Sequence, residues 1–126
     1  MKKVLFVILF AASVSTRAGA EDLTIERMCQ AAAIESSKLY AAMGEFIAGN
    51  PREDPTTLAK ELIQASYEKT KTIKLQMPGA EQFLDTLQLW REYGVNVYLK
   101  NPDYSKSEFE RLAYQKCTRR DQKQEQ

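Results

Sequence analysis

The chain has 126 residues, with 18 basic and 17 acidic side chains and no histidine. The absence of histidine excludes nucleophilic catalysis by Ser-His or Cys-His pairs and leaves no histidine ligand for zinc. The balanced charge lacks the strongly basic surface that binds nucleic acid, so we expect no nucleic-acid partner.

The first 20 residues predict a cleaved secretory signal peptide. Lys2 and Lys3 precede an apolar run at residues 4–12, and Ala18-Gly19-Ala20 supplies the small residues of a cleavage site. The apolar run is about half of the roughly 20 residues that a spanning helix needs, so we expect removal and no stable membrane anchor. The remaining residues, 21–126, carry 15 basic and 17 acidic side chains, and we expect them in the periplasm.

Residues 21–126 predict an all-α fold, a single small bundle of about four helices. Asp22 or Thr24 can cap a first helix that runs to about Ala48, after which Gly49 is expected to adopt a left-handed conformation. Apolar and small residues recur on one face of this helix at helical spacing. They are Ile25, Cys29, Ala32, Ser36, Leu39, Tyr40, Met43, Phe46 and Ile47.

The second helix is predicted to begin with Asp54 as N-cap and Pro55 at its first position. Its end is open, because residues 72–77 alternate with period two, as an extended segment does. A helix that ends near Ile73 is the favoured interpretation.

The third predicted helix runs from about Ala80 to Lys100 and contains the only tryptophan, Trp90. Its apolar arc covers roughly 200°, wider than the stripe of about 100° on a one-sided surface helix. We therefore expect it to be the central helix of the bundle. The short connections between predicted helices favour antiparallel neighbours.

A fourth helix is predicted from the capping box that Ser105 and Glu108 form, S-x-x-E, just before an apolar pattern. Residues 121–126 are expected to be a polar, solvated tail. Cys117 shares the inward face of this helix, as Cys29 does on the first helix. In an exported protein, a disulfide between Cys29 and Cys117 is the favoured interpretation, and free or intermolecular thiols are the alternative.

The sequence offers little catalytic chemistry. No glycine-rich phosphate loop and no metal-ligand cluster occurs, so we expect no cofactor and no metal. Residues 33–37 resemble the Glu-Ser motif of lytic transglycosylases, in which the glutamate is a general acid/base. Glu35, however, borders the apolar face of an amphipathic helix, and the later Gly-Leu-Met-Gln segment of that family has no match. We interpret Glu35 as a solvated boundary residue and predict that the chain is not an enzyme.

Four tyrosines are hard to bury on the predicted helices and are the predicted partner-binding residues, because tyrosine is enriched at protein interfaces. They are Tyr67, Tyr93, Tyr104 and Tyr114. A basic cluster of Lys116, Arg119 and Arg120 is predicted in the last turn of the fourth helix. Stabilisation of the helix dipole is the favoured role of this cluster, and binding of anionic lipid or glycan is the alternative.

The segment from Val95 through Tyr98, Leu99 and Asn101-Pro102, followed by an amphipathic helix that contains Cys117, resembles small helical periplasmic immunity proteins. Those proteins neutralise peptidoglycan-amidase toxins delivered by type VI secretion. The resemblance covers about 25 residues and implies a protein partner in the cell envelope.

We therefore expect a non-enzymatic exported protein that binds a protein partner, as an inhibitor or immunity protein does. The alternatives are an accessory component of a secretion or conjugation machine and a periplasmic chaperone. The sequence indicates no oligomeric state.

Overall fold

The computed structural model describes the backbone of residues 20–125 and the side chains of residues 24–119. The predicted signal peptide lies outside the described residues, apart from the backbone of Ala20. Four helices and no strand occupy the described chain, which confirms the all-α prediction: α1 Ala20–Gly49, α2 Pro55–Gln76, α3 Glu81–Lys100 and α4 Lys106–Glu125. None of these helices, over the residues described, is long and apolar enough to cross a membrane.

Two helix starts follow their local sequence. The Asp54 carboxylate accepts a hydrogen bond from the backbone N–H of Thr57 at 3.1 Å, and Pro55 occupies the first turn of α2. At α4, the Glu108 N–H donates to the Ser105 hydroxyl at 3.1 Å, and the Ser105 N–H donates to the Glu108 carboxylate at 3.0 Å. Both predicted caps are therefore confirmed, and they satisfy N–H groups that the helix itself leaves unpaired.

Helix α1 ends within one residue of its predicted position, but the predicted cap of α1 and the predicted end of α2 are wrong. Gly49 does not adopt a left-handed conformation; instead, the Asn50 side chain donates to the Phe46 carbonyl at 2.9 Å and closes the end of α1. Helix α2 continues past Ile73 to Gln76, so residues 72–76 are helical despite their alternating pattern. The Lys74 ammonium lies 2.8 Å from the Asp85 carboxylate, which ties this last part of α2 to α3.

The central helix is α1, and the prediction that α3 is central is wrong. The backbone of α1 lies close to all three other helices, whereas the backbones of α3 and α4 do not approach each other closely and these two helices meet only through side chains. Small residues allow these close approaches on more than one side of α1, because they let neighbouring backbones come near. Ala32, Ala33, Ser36 and Ser37 are all buried there.

Side-chain contacts give the register of the bundle. Helix α1 runs parallel to α3, with Glu35 beside Arg91 and Gly44 beside Tyr98. It runs antiparallel to α4, as the Cys29–Cys117 disulfide at one end and the contact between the Tyr40 and Phe109 rings at the other show. Helices α3 and α4 are joined by a short loop, yet their backbones do not approach each other closely, and they meet only through side chains such as Tyr93 and Phe109. The expectation that short connections make packed neighbours therefore fails for this pair.

The core consists of two apolar clusters. The larger joins α1, α3 and α4 and contains Cys29, Ala32, Ala33, Tyr40, Trp90, Phe109, Ala113 and Cys117. The smaller joins α1, α2 and α3 and contains Met43, Leu58, Ala59 and Val95. The predicted disulfide is confirmed within the larger cluster, where the Cα atoms of Cys29 and Cys117 are 5.5 Å apart. It links the first helix to the last.

Candidate partner-binding groove

A groove opens between α3 and α4 because the loop that joins them is fixed to α1. The Tyr40 hydroxyl donates to the Asn101 carbonyl at 2.8 Å and accepts from the Tyr104 N–H at 2.9 Å. The backbones of the two helices diverge from this anchored loop, and a groove of about 620 Å³ lies between them. We call it the α3/α4 groove, and it is lined by Tyr93, Val97, Tyr104, Phe109, Leu112, Lys116 and Arg119.

The aromatic residues of the α3/α4 groove are held in place by buried rings. Phe109 stacks on Tyr40, with centroids 4.5 Å apart, and also lies 5.9 Å from the Tyr93 ring. Trp90 meets Tyr93 edge to face at 5.3 Å. Since Tyr40, Trp90 and Phe109 are buried, the Tyr93 ring is supported from behind. Rings fixed in this way lose little side-chain entropy when a partner covers them.

The groove is neutral at its aromatic end and positive at the other. Burial raises the pKa of the Tyr93 phenol above its ordinary value of 10.0, and nearby Tyr104 adds to this shift. Tyr93 is therefore uncharged at physiological pH. The Lys116 ammonium lies 5.5 Å from the centroid of the Tyr93 ring, within the range of a cation–π interaction. Arg119 follows one turn later on α4 and lines the same groove.

The structure changes the interpretation of this basic pair. Helix α4 continues to Glu125, so Lys116 and Arg119 lie well before its last turn. The favoured sequence interpretation placed them at the end of the helix, and that placement is wrong. Because the helix-dipole effect falls off within the last turn, it does not account for these two charges. The Arg120 side chain lies outside the described residues.

The four predicted tyrosines lie in three different places. Tyr93 and Tyr104 line the α3/α4 groove, whereas Tyr114 lines a second groove of about 440 Å³ between α1 and α4, beside Ile34. Tyr67 lies on α2, is 47% exposed and lines neither groove; the Lys71 ammonium lies 5.9 Å from its ring centroid. Only Tyr93 and Tyr104 therefore belong to one surface.

Glu35, the one carboxylate considered for catalysis, is part of an ion-pair network. Its two oxygens are 2.9 Å from the Arg91 Nε and 3.3 Å from the Lys38 Nζ. Its side chain is 20% exposed, so Glu35 lies at the boundary of the core as predicted, but it is paired with Arg91 and Lys38 rather than freely solvated. Glu35 lines neither groove. Its observed contacts are those of a residue that joins α1 to α3.

The network extends from Arg91 into α2. The Arg91 guanidinium also donates to the Thr70 hydroxyl at 2.8 Å, and the Thr70 hydroxyl donates to the Gln88 side-chain oxygen at 2.8 Å. The Gln88 amide donates in turn to the Ser66 hydroxyl at 2.9 Å. No buried side-chain polar atom in the described part of the chain lacks a partner. This network thus joins three helices through satisfied polar groups and leaves the α3/α4 groove as the candidate site.

Sequence reasoning missed Val97 and Leu112 as groove residues. Their spacing from Tyr93 and Lys116 places each pair on one helix face, at i and i+4. That signal is ordinary, however, and it does not reveal that α3 and α4 diverge. The described residues also contain no group of three or more side chains that could hold a metal ion.

Comparisons with known protein families, with curated proteins and with solved structures find no match to this chain.

Proposed function

We propose that the chain is a non-enzymatic, exported protein that binds a protein partner of the cell envelope through the α3/α4 groove. The observation that carries this proposal is a groove with rigid, half-buried tyrosines and two cations that serve no structural ion pair among the described residues. Aromatic and basic side chains of this kind are enriched where protein interfaces release most binding energy.

The groove suits a partner rather than a reaction. Its lining has aromatic, aliphatic and cationic side chains and no carboxylate, serine, threonine or cysteine. Its tyrosines and its lysine are residue types that can transfer protons or act as nucleophiles, but no carboxylate or histidine in the lining activates them, so the surface mainly offers contact area and positive charge.

Inhibition of an envelope enzyme or toxin is the version of this function that we favour. The resemblance to periplasmic immunity proteins supports it, because the segment from Val95 to Cys117 contributes both walls of the groove. The disulfide supports the exported location that every version of this function requires, since such bonds persist in oxidising compartments.

Site-specific photocrosslinking in cells tests the proposal. The full-length, exported chain would carry a photoreactive residue at Leu89, which is 66% exposed and lies one turn before Tyr93 on the same face of α3. The matched control is Leu75, an 84% exposed leucine on α2. We expect one identified envelope protein to crosslink from Leu89 and not from Leu75. Purified partner would then be titrated with this chain to measure inhibition.

The outcomes separate the versions of the function. A single enzyme or toxin that is inhibited at one-to-one stoichiometry supports inhibition, whereas several subunits of one assembly support an accessory role in a secretion or conjugation machine. Equal crosslinking from Leu89 and Leu75 to many proteins indicates a chaperone. The absence of any adduct at Leu89 in cells that contain the partner contradicts binding at this groove.

A further inference from the structure

The α3/α4 groove has an apolar part and a basic part that adjoin each other. Val97, Tyr104 and Phe109 lie towards the loop that joins the helices, and Lys116 and Arg119 lie farther along α4. A ligand that fills the groove therefore contacts aromatic and aliphatic side chains in one part and positive charge in the adjoining part.

Neither of the two cations forms an ion pair with a side chain that the structure describes. The four ion pairs found among the described residues use Lys38, Lys71, Lys74 and Arg91, so neither Lys116 nor Arg119 has a carboxylate partner there. Both side chains are exposed. An ion pair with a ligand would consequently form without breaking an ion pair among the residues whose side chains the structure describes.

The spacing between the two parts limits the ligand. The Lys116 ammonium is only 5.5 Å from the centre of the Tyr93 ring, which itself lines the groove. A group that packs on Tyr93 and a carboxylate that pairs with Lys116 must therefore lie close together, in adjacent residues. Arg119, one helical turn on, provides a second donor for the same carboxylate or for another acidic side chain.

We propose that the α3/α4 groove binds an acidic segment of a protein partner in which an aspartate or glutamate is adjacent to an aromatic or large aliphatic side chain. This inference rests on the proposed function and specifies the chemistry of the partner. The apolar side chain packs against Tyr93, Val97 and Leu112, and the carboxylate accepts hydrogen bonds from Lys116 and Arg119.

A protein segment fits the groove better than an anionic lipid surface does. A membrane surface binds through clusters of several basic residues, roughly four to eight, whereas the groove lining supplies two. The apolar residues also lie within a groove between two helices, where a side chain can enter. A planar array of headgroups reaches the rim of such a groove and leaves the rings beneath uncovered.

Two capped dipeptides that differ only in charge test the inference: N-acetyl-tryptophanyl-glutamate amide and its glutamine counterpart. Binding to the oxidised, purified protein is followed by NMR through the methyl signals of Val97 and Leu112. We expect both probes to shift these signals, and the glutamate probe to bind about two- to fivefold more tightly, the range for one exposed ion pair. Raising the salt concentration to about 0.5 M should reduce that preference.

Substitution of Lys116 and Arg119 tests whether these two cations cause the preference for the glutamate probe. Lys116→Gln and Arg119→Gln should each reduce it, and the double variant should abolish it while retaining binding of the glutamine probe. Lys69→Gln is the matched control, because Lys69 is an exposed lysine on α2 with no ion pair among the described residues. An intact disulfide, verified by mass, and an unchanged circular dichroism spectrum would show that each variant is folded.

Equal affinity for the two probes, or a preference that survives in the double variant, would overturn the inference. Binding to phosphatidylglycerol vesicles that requires Lys116 and Arg119, without any discrimination between the dipeptides, would overturn it in favour of a membrane surface. The Leu89 crosslinking experiment is independent of these probes. If the Leu89 crosslinking identifies a partner and the double variant does not reduce that crosslinking, the proposed function stands. The inference that the groove binds an acidic segment would then be overturned.

Discussion

Gly94 packs directly against the backbone of Ser36 where α3 meets α1. A Cβ atom at Gly94 would overlap the Ser36 carbonyl oxygen and lie 2.9 Å from its carbonyl carbon. The conflict is with backbone atoms of the central helix, which have no rotamer to change. The distance between the two helices therefore depends on the absence of a side chain at this one position.

Gly94→Ala should lower the free energy of unfolding by about 1–3 kcal/mol or more, because α3 must move away from α1 to fit one methyl group. The gain in helix propensity, about 1 kcal/mol, is too small to offset a larger displacement. Urea unfolding followed by circular dichroism measures the change. Gly49→Ala is the control: a Cβ there meets nothing within 4 Å, so equal or higher stability is expected. Equal effects of the two substitutions would contradict close packing at Gly94.

Breaking the Arg91–Glu35 ion pair should destabilise the bundle, since the side chains are only 13% and 20% exposed. Arg91→Gln removes a charged hydrogen bond to Glu35 and another to Thr70, for which we expect a loss of about 1.5–3 kcal/mol. A double-mutant cycle with Glu35→Gln isolates the pairwise energy from urea unfolding curves.

The exposed Lys71–Glu68 pair is the control for that cycle, because its side chains are 56% and 54% exposed. Lys71→Gln should change the stability by less than about 0.5 kcal/mol. If the coupling between Arg91 and Glu35 were equally small, the network would contribute little to joining α1, α2 and α3.

Removal of the disulfide should affect α4 more than the other helices. The bond spans 88 residues of sequence, and replacing Cys29 and Cys117 with serine should cost about 2–5 kcal/mol. Because α1 is the one described helix whose backbone lies close to α4, the amides of α4 should exchange with solvent faster than those of α3 in the variant, as hydrogen–deuterium exchange can measure. A uniform acceleration in all four helices would show that α4 has no separate dependence on the bond.

The capping box of α4 predicts a specific pH dependence. The pKa of Glu108 is lowered from its ordinary value of 4.5, chiefly because the Ser105 backbone N–H donates to its carboxylate and also because the Ser105 side chain does. A carboxyl group whose pKa is lower in the folded state contributes stability above the unfolded-state pKa. That contribution is lost as the pH falls through the folded-state pKa.

The difference in urea midpoint between the wild-type chain and Glu108→Gln should therefore be present at pH 7 and shrink below about pH 4.5. Glu61→Gln, at an exposed position on α2, controls for general charge effects. A difference that stays constant or grows on acidification would show that the Glu108 cap does not depend on the ionised carboxylate.

The features that the sequence predicted correctly are local, or depend on a simple repeat. The Asp54 cap, the Ser105–Glu108 capping box and the inward positions of Cys29 and Cys117 each follow from residues a few positions apart. The alternating pattern of residues 72–77 indicated an extended segment, whereas residues 72–76 are helical. Contacts with α3, such as the ion pair between Lys74 and Asp85, are not visible in that pattern. Propensity yields to such contacts at the ends of helices.

The candidate site was predicted only in part for a related reason. Tyr93 and Tyr104 were identified by their poor fit to a buried helix face, but so were Tyr67 and Tyr114, which lie elsewhere. The wheel of one helix shows which residues lie together on that helix. It does not show which helices approach each other. The groove exists because the backbones of α3 and α4 diverge.

The sequence by itself determined four helices, two of their N-terminal caps and the pairing of its two cysteines, because periodicity, capping chemistry and the count of thiols are properties of the chain alone. The tertiary structure decided that α1 is central and that Lys116 and Arg119 lie in the α3/α4 groove beside Tyr93. The physical reason is packing: the small residues of α1 admit neighbours on more than one side, and Tyr40 anchors the loop from which α3 and α4 diverge.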